Sequence, residues 1–153
     1  MKIEIIENQN VRYRDLDYKE NAREGNILLP LYGKVYCGAP NSIDDYKEEI
    51  LEIPQHMLGN GEYFALRAEG DSMIDAGICD GDILIIKMQN YAESGQIVVA
   101  RIGQNVTLKR FYILEGEKKI VLRPENKLYK EIITDECDIM GVATKIIKDI
   151  ERT

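Results

Sequence analysis

Apolar residues occur in short runs along the second half of the chain, and polar residues separate the runs. The runs are rich in Val, Ile, Leu, Phe and Tyr, and they lie at residues 63–68, 83–86, 96–102, 106–113, 119–123 and 140–147. Gly, Asp and Asn, which favour turns, are frequent between them. Residues 103–105, Gly-Gln-Asn, separate two of the runs and predict a hairpin with a short loop. Closely spaced short strands of this kind predict a mainly β fold, a compact antiparallel domain with little helix.

The first third of the chain has a less regular pattern. Residues 1–26 are polar and charged, and they predict an arm or linker. The apolar run at residues 27–36 is interrupted by Pro30 and Gly33, which favours an edge strand or a loop over a helix. Residues 42–53 combine an N-cap serine with partly helical spacing of apolar residues, so a short helix and a strand remain alternatives there.

The length of 153 residues and the hydrophobic content of 44% suit a single core. No apolar run reaches the roughly 18–20 residues that cross a bilayer, and residues 1–8 do not resemble a signal peptide. We therefore expect a cytoplasmic protein without a membrane partner. Cys37, Cys79 and Cys137 are odd in number and widely spaced, which argues against a disulfide framework and a zinc site. The sequence indicates neither a metal nor another cofactor.

The formal net charge of −7 counts against direct DNA binding by this chain, because phosphate contacts need clustered Lys and Arg. The longest basic cluster, Lys118 and Lys119, lies in a polar stretch of mixed charge. That stretch predicts a solvated hairpin tip.

Ser72 and Lys109 are the candidate catalytic residues. Ser72 lies in a Gly-Asp-Ser-Met turn, and Lys109 lies in the predicted strand at residues 106–113. A serine hydroxyl is a poor nucleophile near neutral pH and needs a base within hydrogen-bond reach. His56, the one histidine, lies in a predicted surface turn without an evident acidic partner, so a Ser-His-Asp triad has little support. A lysine can be the base when burial lowers its pKa and favours the neutral amine.

Strand alternation places Thr107, Lys109 and Phe111 on one face and Arg110 on the other. This predicts that Lys109 points inward beside the Thr107 hydroxyl and that Arg110 points outward. An exposed strand lysine and an ordinary Gly-Asp-Ser turn also explain the same residues. Local chemistry alone therefore leaves the catalytic interpretation open.

Five motifs follow one another along the chain, and a Leu-Arg-Pro-Glu-Asn run at residues 122–126 comes after them. They are Cys37-Gly38, the Gly-Asp-Ser-Met turn at 70–73, Asp-Gly-Asp at 80–82, Val-Val-Ala-Arg at 98–101 and Thr-Leu-Lys-Arg at 107–110. In this order, from Leu29 to about Ile147, the chain resembles the LexA/UmuD family of self-cleaving Ser-Lys peptidases, which includes bacterial DNA-damage regulators and related phage repressors. The resemblance implies an antiparallel β domain of the LexA/signal-peptidase type.

Members of this family cut a peptide bond of their own chain. The resemblance implies that Ser72 attacks the carbonyl of Cys37, while neutral Lys109 accepts the hydroxyl proton and later gives it to the amine of Gly38. A tethered peptide gains the advantage of an intramolecular reaction, so the rate depends on how often the peptide docks. In the family, a RecA filament on single-stranded DNA acts as co-protease, and the proteins form homodimers.

The resemblance also implies supporting roles. Thr107 would orient the lysine, and backbone N–H groups around Asp71 and Ser72 would stabilise the oxyanion. Met73 would be a packing residue. Cys37 would be part of the substrate.

We accordingly divide the chain into an N-terminal arm or linker at residues 1–26, a cleavage-site segment at 27–42, and a Ser-Lys peptidase and dimerisation domain at 43–153. The residues before Cys37 are too few for the helix-turn-helix domain of LexA repressors. We expect the self-cleaving peptidase domain of a LexA-type SOS-response transcriptional repressor. A UmuD-like accessory subunit of an error-prone DNA polymerase and a non-cleaving dimerisation module of a phage-type repressor are the alternatives.

Overall fold

The computed structural model describes residues 22–33 and 47–151, and this part of the chain forms nine strands in one sheet. The strands are β1 (Asn26–Tyr32), β2 (Lys47–Pro54), β3 (Tyr63–Arg67), β4 (Ile83–Met88), β5 (Ile97–Ile102), β6 (Asn105–Leu114), β7 (Lys119–Arg123), β8 (Ile132–Thr134) and β9 (Asp138–Ile147). Two short 3₁₀ helices lie at Gln55–Met57 and Ile74–Ala76. The mainly β fold with little helix is confirmed. Within these residues, no helix has both the length and the apolar character needed to cross a membrane.

The order of strands across the sheet is β2-β1-β3-β4-β9-β5-β6-β7-β8. Neighbouring strands are antiparallel except β1 and β3, which pair in parallel at Leu31 and Tyr32. In the predicted β5–β6 hairpin, Ile102 pairs with Asn105 across a two-residue turn. Gly103 has a φ of 59° there, a left-handed conformation that glycine adopts readily.

The structure corrects the prediction for β1. This strand lies between β2 and β3, so it is not the edge strand that Pro30 favoured. The ladder between β1 and β3 contains only Leu31 and Tyr32, and Pro30 precedes it. Because the parallel pairing begins after the proline, β1 can carry a proline and still lie inside the sheet.

The structure also decides between the alternatives for the following segment. The chain forms a strand from Lys47 to Pro54, and β2 is one edge of the sheet. Residues 42–46 lie outside the described residues. The other edge, β8, was not predicted, because a strand of 3 residues is too short to show alternation.

One apolar cluster of the core connects the two segments that carry Ser72 and Lys109. Met73, which is 3% exposed, and Ile78 lie in this cluster beside Leu66 of β3 and Val106 of β6. Leu108 packs against the same cluster. Burial of a side chain such as Met73 contributes about 2 kcal/mol to stability. The core therefore fixes the turn after β3 relative to the beginning of β6.

Candidate active site

A cleft of about 520 Å³ brings Ser72 and Lys109 to one surface of the protein. Its walls are formed by the end of β3 and the turn that follows it, by the β5–β6 hairpin and β6, and by the connection between β7 and β8. The other described residues of the predicted site, Asp71, Met73 and Thr107, also line this cleft. The predicted cleavage site, Cys37 and Gly38, lies outside the described residues.

The turn that carries Ser72 is held by a carboxylate from the Asp-Gly-Asp motif. Gly70 has a φ of 81°, and its N–H donates a 2.8 Å hydrogen bond to Oδ1 of Asp80. One residue later, the carbonyl of Asp71 accepts a 3.2 Å bond from the N–H of Ile74. Ser72 itself is half-buried. The serine is therefore presented at the cleft by a turn that is fixed at both ends.

Lys109 is half-buried on β6, and its amine is held by its own strand. Nζ donates a 2.6 Å hydrogen bond to Oγ1 of Thr107 and a 3.1 Å bond to the carbonyl oxygen of Leu108. The bond to Thr107 agrees with the predicted alternation, because residues two apart on a strand share a face.

Ser72 and Lys109 share the cleft without a direct bond between them. Among the hydrogen bonds of the described residues, none joins Ser72 Oγ to Lys109 Nζ. Catalytic hydrogen bonds are often long in a substrate-free site and shorten when the substrate docks. The cleft thus contains a serine hydroxyl and a lysine amine among its lining groups.

The connection between β7 and β8 holds the Ser72 turn at three points, a feature that sequence reasoning missed. Nδ2 of Asn126 donates a 2.9 Å bond to the carbonyl oxygen of Asp71. The N–H of Asp75 donates a 2.8 Å bond to the carbonyl oxygen of Glu125. The hydroxyl of Tyr129 donates to the carboxylate of Asp71, and this hydrogen bond raises the pKa of Tyr129. The sequence feature that could have indicated these contacts is the Leu-Arg-Pro-Glu-Asn run at residues 122–126. The sequence alone does not show that this run contacts the Ser72 turn.

Arg110 extends this connection to the strand that carries Lys109. Its guanidinium forms an ion pair with the carboxylate of Glu125 and donates a 2.6 Å bond to the carbonyl oxygen of Gly95. Its side chain is 27% exposed, so these contacts partly shield the guanidinium from solvent. The Coulomb attraction of a partly buried carboxylate explains why a charged residue stays in this position.

The second aspartate of the Asp-Gly-Asp motif is buried. Asp82 is 2% exposed; it accepts a 2.7 Å bond from the N–H of Cys79 and pairs with the ammonium of Lys148. The hydrogen bond to Asp82 raises the pKa of Lys148 above its ordinary value of 10.5. The Asp-Gly-Asp motif therefore contacts two separate segments: Asp80 binds the Ser72 turn, and Asp82 binds the segment after β9.

The remaining candidate residues are apart from the cleft. His56 is exposed in the 3₁₀ helix after β2, as predicted. Cys79 and Cys137 are half-buried thiols outside any disulfide, and burial raises the pKa of Cys137. No group of His, Cys, Asp and Glu side chains in the described part of the chain could hold a metal ion.

Comparison with known proteins supports a peptidase. Residues 30–144 match the model of the Peptidase S24-like family. The LexA repressor of Caldicellulosiruptor saccharolyticus is 44% identical over 122 residues, which are 80% of this chain and 59% of the relative. The LexA repressor of Clostridium perfringens strain SM101 is 40% identical over 145 residues, 89% of this chain and 70% of the relative.

LexA repressor 1 of Nocardia farcinica is 39% identical over 127 residues, which cover 83% of this chain and 58% of the relative. The chain thus spans less than two thirds of the length of the Nocardia and Caldicellulosiruptor proteins.

Proposed function

The chain belongs to the Peptidase S24-like family of LexA-type proteins, and from this premise we propose that it is the self-cleaving serine peptidase domain of a LexA-type SOS-response repressor. One observation carries the proposal: Ser72 and Lys109, far apart in sequence, line the same cleft. A peptidase of this family needs a nucleophile and a base, and this cleft offers a serine hydroxyl and an amine.

In the proposed reaction, Oγ of Ser72 attacks the carbonyl carbon of Cys37 and passes its proton to neutral Nζ of Lys109. The tetrahedral intermediate then collapses, and the bond between Cys37 and Gly38 breaks as the new amine of Gly38 takes the proton from Lys109. The product is an ester between Ser72 and Cys37. Lys109 next removes a proton from water, which attacks this ester and restores the Ser72 hydroxyl.

The position of β1 supports a substrate from the same chain. Tyr32, the last residue of β1, pairs with Leu66, and Leu66 lines the cleft. Cys37 follows Tyr32 by five residues, a separation that can span at most about 17 Å when extended. A cleavage segment anchored beside the cleft would stay near the site without diffusing to it, which favours an intramolecular reaction.

The partners that we propose follow from the family. A RecA filament on single-stranded DNA would accelerate the cut by stabilising the docked form of the cleavage segment, and the domain would form a homodimer. With a net charge of −7, this chain would not bind DNA by itself. The names of the relatives favour a repressor over the UmuD-like alternative.

The proposal is tested by incubating the purified chain over a range of pH and measuring the products by mass spectrometry. We expect fragments of residues 1–37 and 38–153, formed faster as the pH rises, because deprotonation of Lys109 creates the base. Ser72→Ala and Lys109→Ala should each abolish the cut. Lys127→Ala, which removes an exposed lysine that does not line the cleft, is the matched control and should be cut normally. A wild-type chain that stays intact at every pH, or cleavage that survives Ser72→Ala, would exclude this mechanism.

A further inference from the structure

The peptide group between Asp71 and Ser72 is held by its carbonyl oxygen. That oxygen accepts a 2.9 Å hydrogen bond from Nδ2 of Asn126 and a 3.2 Å bond from the N–H of Ile74. The described part of the chain contains no cis peptide bond. In a planar trans peptide, the carbonyl and the N–H point in opposite directions. The two donors therefore also fix the direction of the Ser72 N–H.

The N–H of Ser72 points away from Asn126, and Ser72 lines the cleft. Within residues 22–33 and 47–151, this N–H donates no hydrogen bond. A donor that is part of the nucleophilic residue can stabilise the negative oxygen that forms on the attacked carbonyl. Donors on the carbonyl side polarise the same peptide, which strengthens its N–H as a donor.

We propose that Asn126 is a positioning residue, which orients the Asp71–Ser72 peptide so that the Ser72 N–H can donate a hydrogen bond to the oxyanion. The inference rests on the proposed self-cleavage. Asn126 does not touch the reacting atoms and acts through the carbonyl oxygen of Asp71.

The orientation of the Asn126 amide is itself determined by its surroundings. Oδ1 accepts a 3.0 Å bond from the N–H of Leu128, which only the oxygen end of an amide can do. The nitrogen end must then face the carbonyl of Asp71. The main-chain carbonyl of Asn126 accepts a further 3.1 Å bond from the N–H of Tyr129. The side chain is thus held on an ordered turn.

The preceding residue connects this turn to the strand of the base. Glu125 forms the ion pair with Arg110, the neighbour of Lys109 on β6. One short stretch of chain therefore contacts both the turn of Ser72 and the strand of Lys109. This explains how Asn126 can set the direction of one peptide relative to the base.

The decisive variant is Asn126→Asp, which keeps the shape and the acceptor for the Leu128 N–H but loses the donor to Asp71. We expect the maximal self-cleavage rate at alkaline pH to fall about 10- to 100-fold, less than the roughly 100- to 1,000-fold cost of deleting an oxyanion donor. In the uncharged variant Asn126→Ala, the midpoint pH of the rate profile, which reports Lys109, should not change. Asn126→Ala adds no charge and should show the same loss. It also replaces Asn126→Asp if that variant does not fold.

Two controls separate this effect from charge and from the loop. Gln104→Glu introduces a negative charge on an exposed turn, and Lys127→Ala alters the neighbouring side chain; both should be cut at the wild-type rate. If the wild type is cut and Asn126→Asp and Asn126→Ala are cut equally fast, the role of Asn126 is refuted while self-cleavage stands. A shifted midpoint pH in Asn126→Ala, or a rate loss that follows a lowered melting temperature, also overturns the role. A wild-type chain that is never cut removes both proposals.

Discussion

Oγ1 of Thr107 accepts a 2.6 Å hydrogen bond from Nζ of Lys109, and both residues project from the same face of β6. Because both lie on one strand, their spacing is set by the backbone alone. The carbonyl of Leu108 between them accepts the second bond from the same amine. The candidate base is therefore oriented by a unit of three consecutive residues.

Replacing Thr107 by Val removes the hydroxyl and keeps the branched shape. A hydrogen bond of this kind contributes about 1 kcal/mol, so we expect the self-cleavage rate of Thr107→Val to fall roughly fivefold. The rate of fragment formation, followed on denaturing gels at alkaline pH, measures the effect. Thr107→Ser keeps the hydroxyl and should retain most of the rate. Equal loss in both variants would show that packing, rather than the hydroxyl, matters here.

His56 provides a test of the identity of the base. It is exposed and does not line the cleft with Ser72. We therefore expect His56→Ala to be cut within about twofold of the wild-type rate. A variant that is no longer cut, although it folds as the wild type does, would point to a Ser-His mechanism.

The parts of the fold that follow from local rules could be predicted from the sequence. The β5–β6 hairpin follows from its turn residues, and the contact of Thr107 with Lys109 follows from strand alternation. Both depend on residues that are close in the sequence. Alternation predicts which face of the strand Arg110 occupies, but it does not predict the ion pair with Glu125, because another strand connection supplies that residue.

The contacts that the sequence could not supply are those between distant segments. No periodic pattern in the sequence predicts the hydrogen bond from Asn126 to the carbonyl oxygen of Asp71. The acceptor is a main-chain atom, which every residue has, so the residue type at position 71 gives no indication of it. The interior position of β1 depends on which strands pair beside it, and Pro30 alone gave the wrong answer. The order of the motifs led to Ser72 and Lys109, whereas the residues around them became visible only in the folded chain.

Gly141 on β9 offers a stability test that is independent of catalysis. A Cβ at this position would lie 2.5 Å from Cγ2 of Ile86 and 2.6 Å from the carbonyl oxygen of Lys87. Because the second atom belongs to the backbone, the overlap cannot be relieved by a side-chain rotation. We expect Gly141→Ala to lower the free energy of unfolding by about 3 kcal/mol in urea titrations.

The matched control for this substitution is Gly116→Ala. A Cβ on Gly116 meets nothing within 4 Å, and its free energy of unfolding should change by no more than about 0.5 kcal/mol. Similar effects of the two substitutions would contradict the overlap as the cause.

The pair of Asp82 and Lys148 predicts a change of stability at alkaline pH. The hydrogen bond to Asp82 raises the pKa of Lys148 in the folded state, so its contribution is complete below 10.5, the ordinary value, and is lost as the pH rises through the folded pKa. Lys148→Met lacks this contribution. We therefore expect the wild type and the variant to differ near neutral pH and to converge at strongly alkaline pH.

The comparison requires urea midpoints of both proteins from about pH 8 to about pH 12, because the contribution is lost only above the ordinary lysine value. Other lysines and tyrosines titrate in this range, and they do so in both proteins, which is why the difference between the two curves isolates the pair. A difference that stays constant over the whole range would show that Lys148 acts through packing.

Because β1 lies inside the sheet, cleavage of the bond after Cys37 would not by itself release the N-terminal fragment. The fragment that ends at Cys37 would keep Leu29 and Leu31, each 1% exposed, in a strand paired on both sides. Pulling that strand out would expose apolar surface on β2 and β3 and leave their ladders incomplete. A severed chain should therefore elute as one particle on a sizing column and divide into two only in denaturant. Any functional effect of the cleavage would then come from the broken covalent connection at Cys37, while the N-terminal fragment stays bound to the domain through β1.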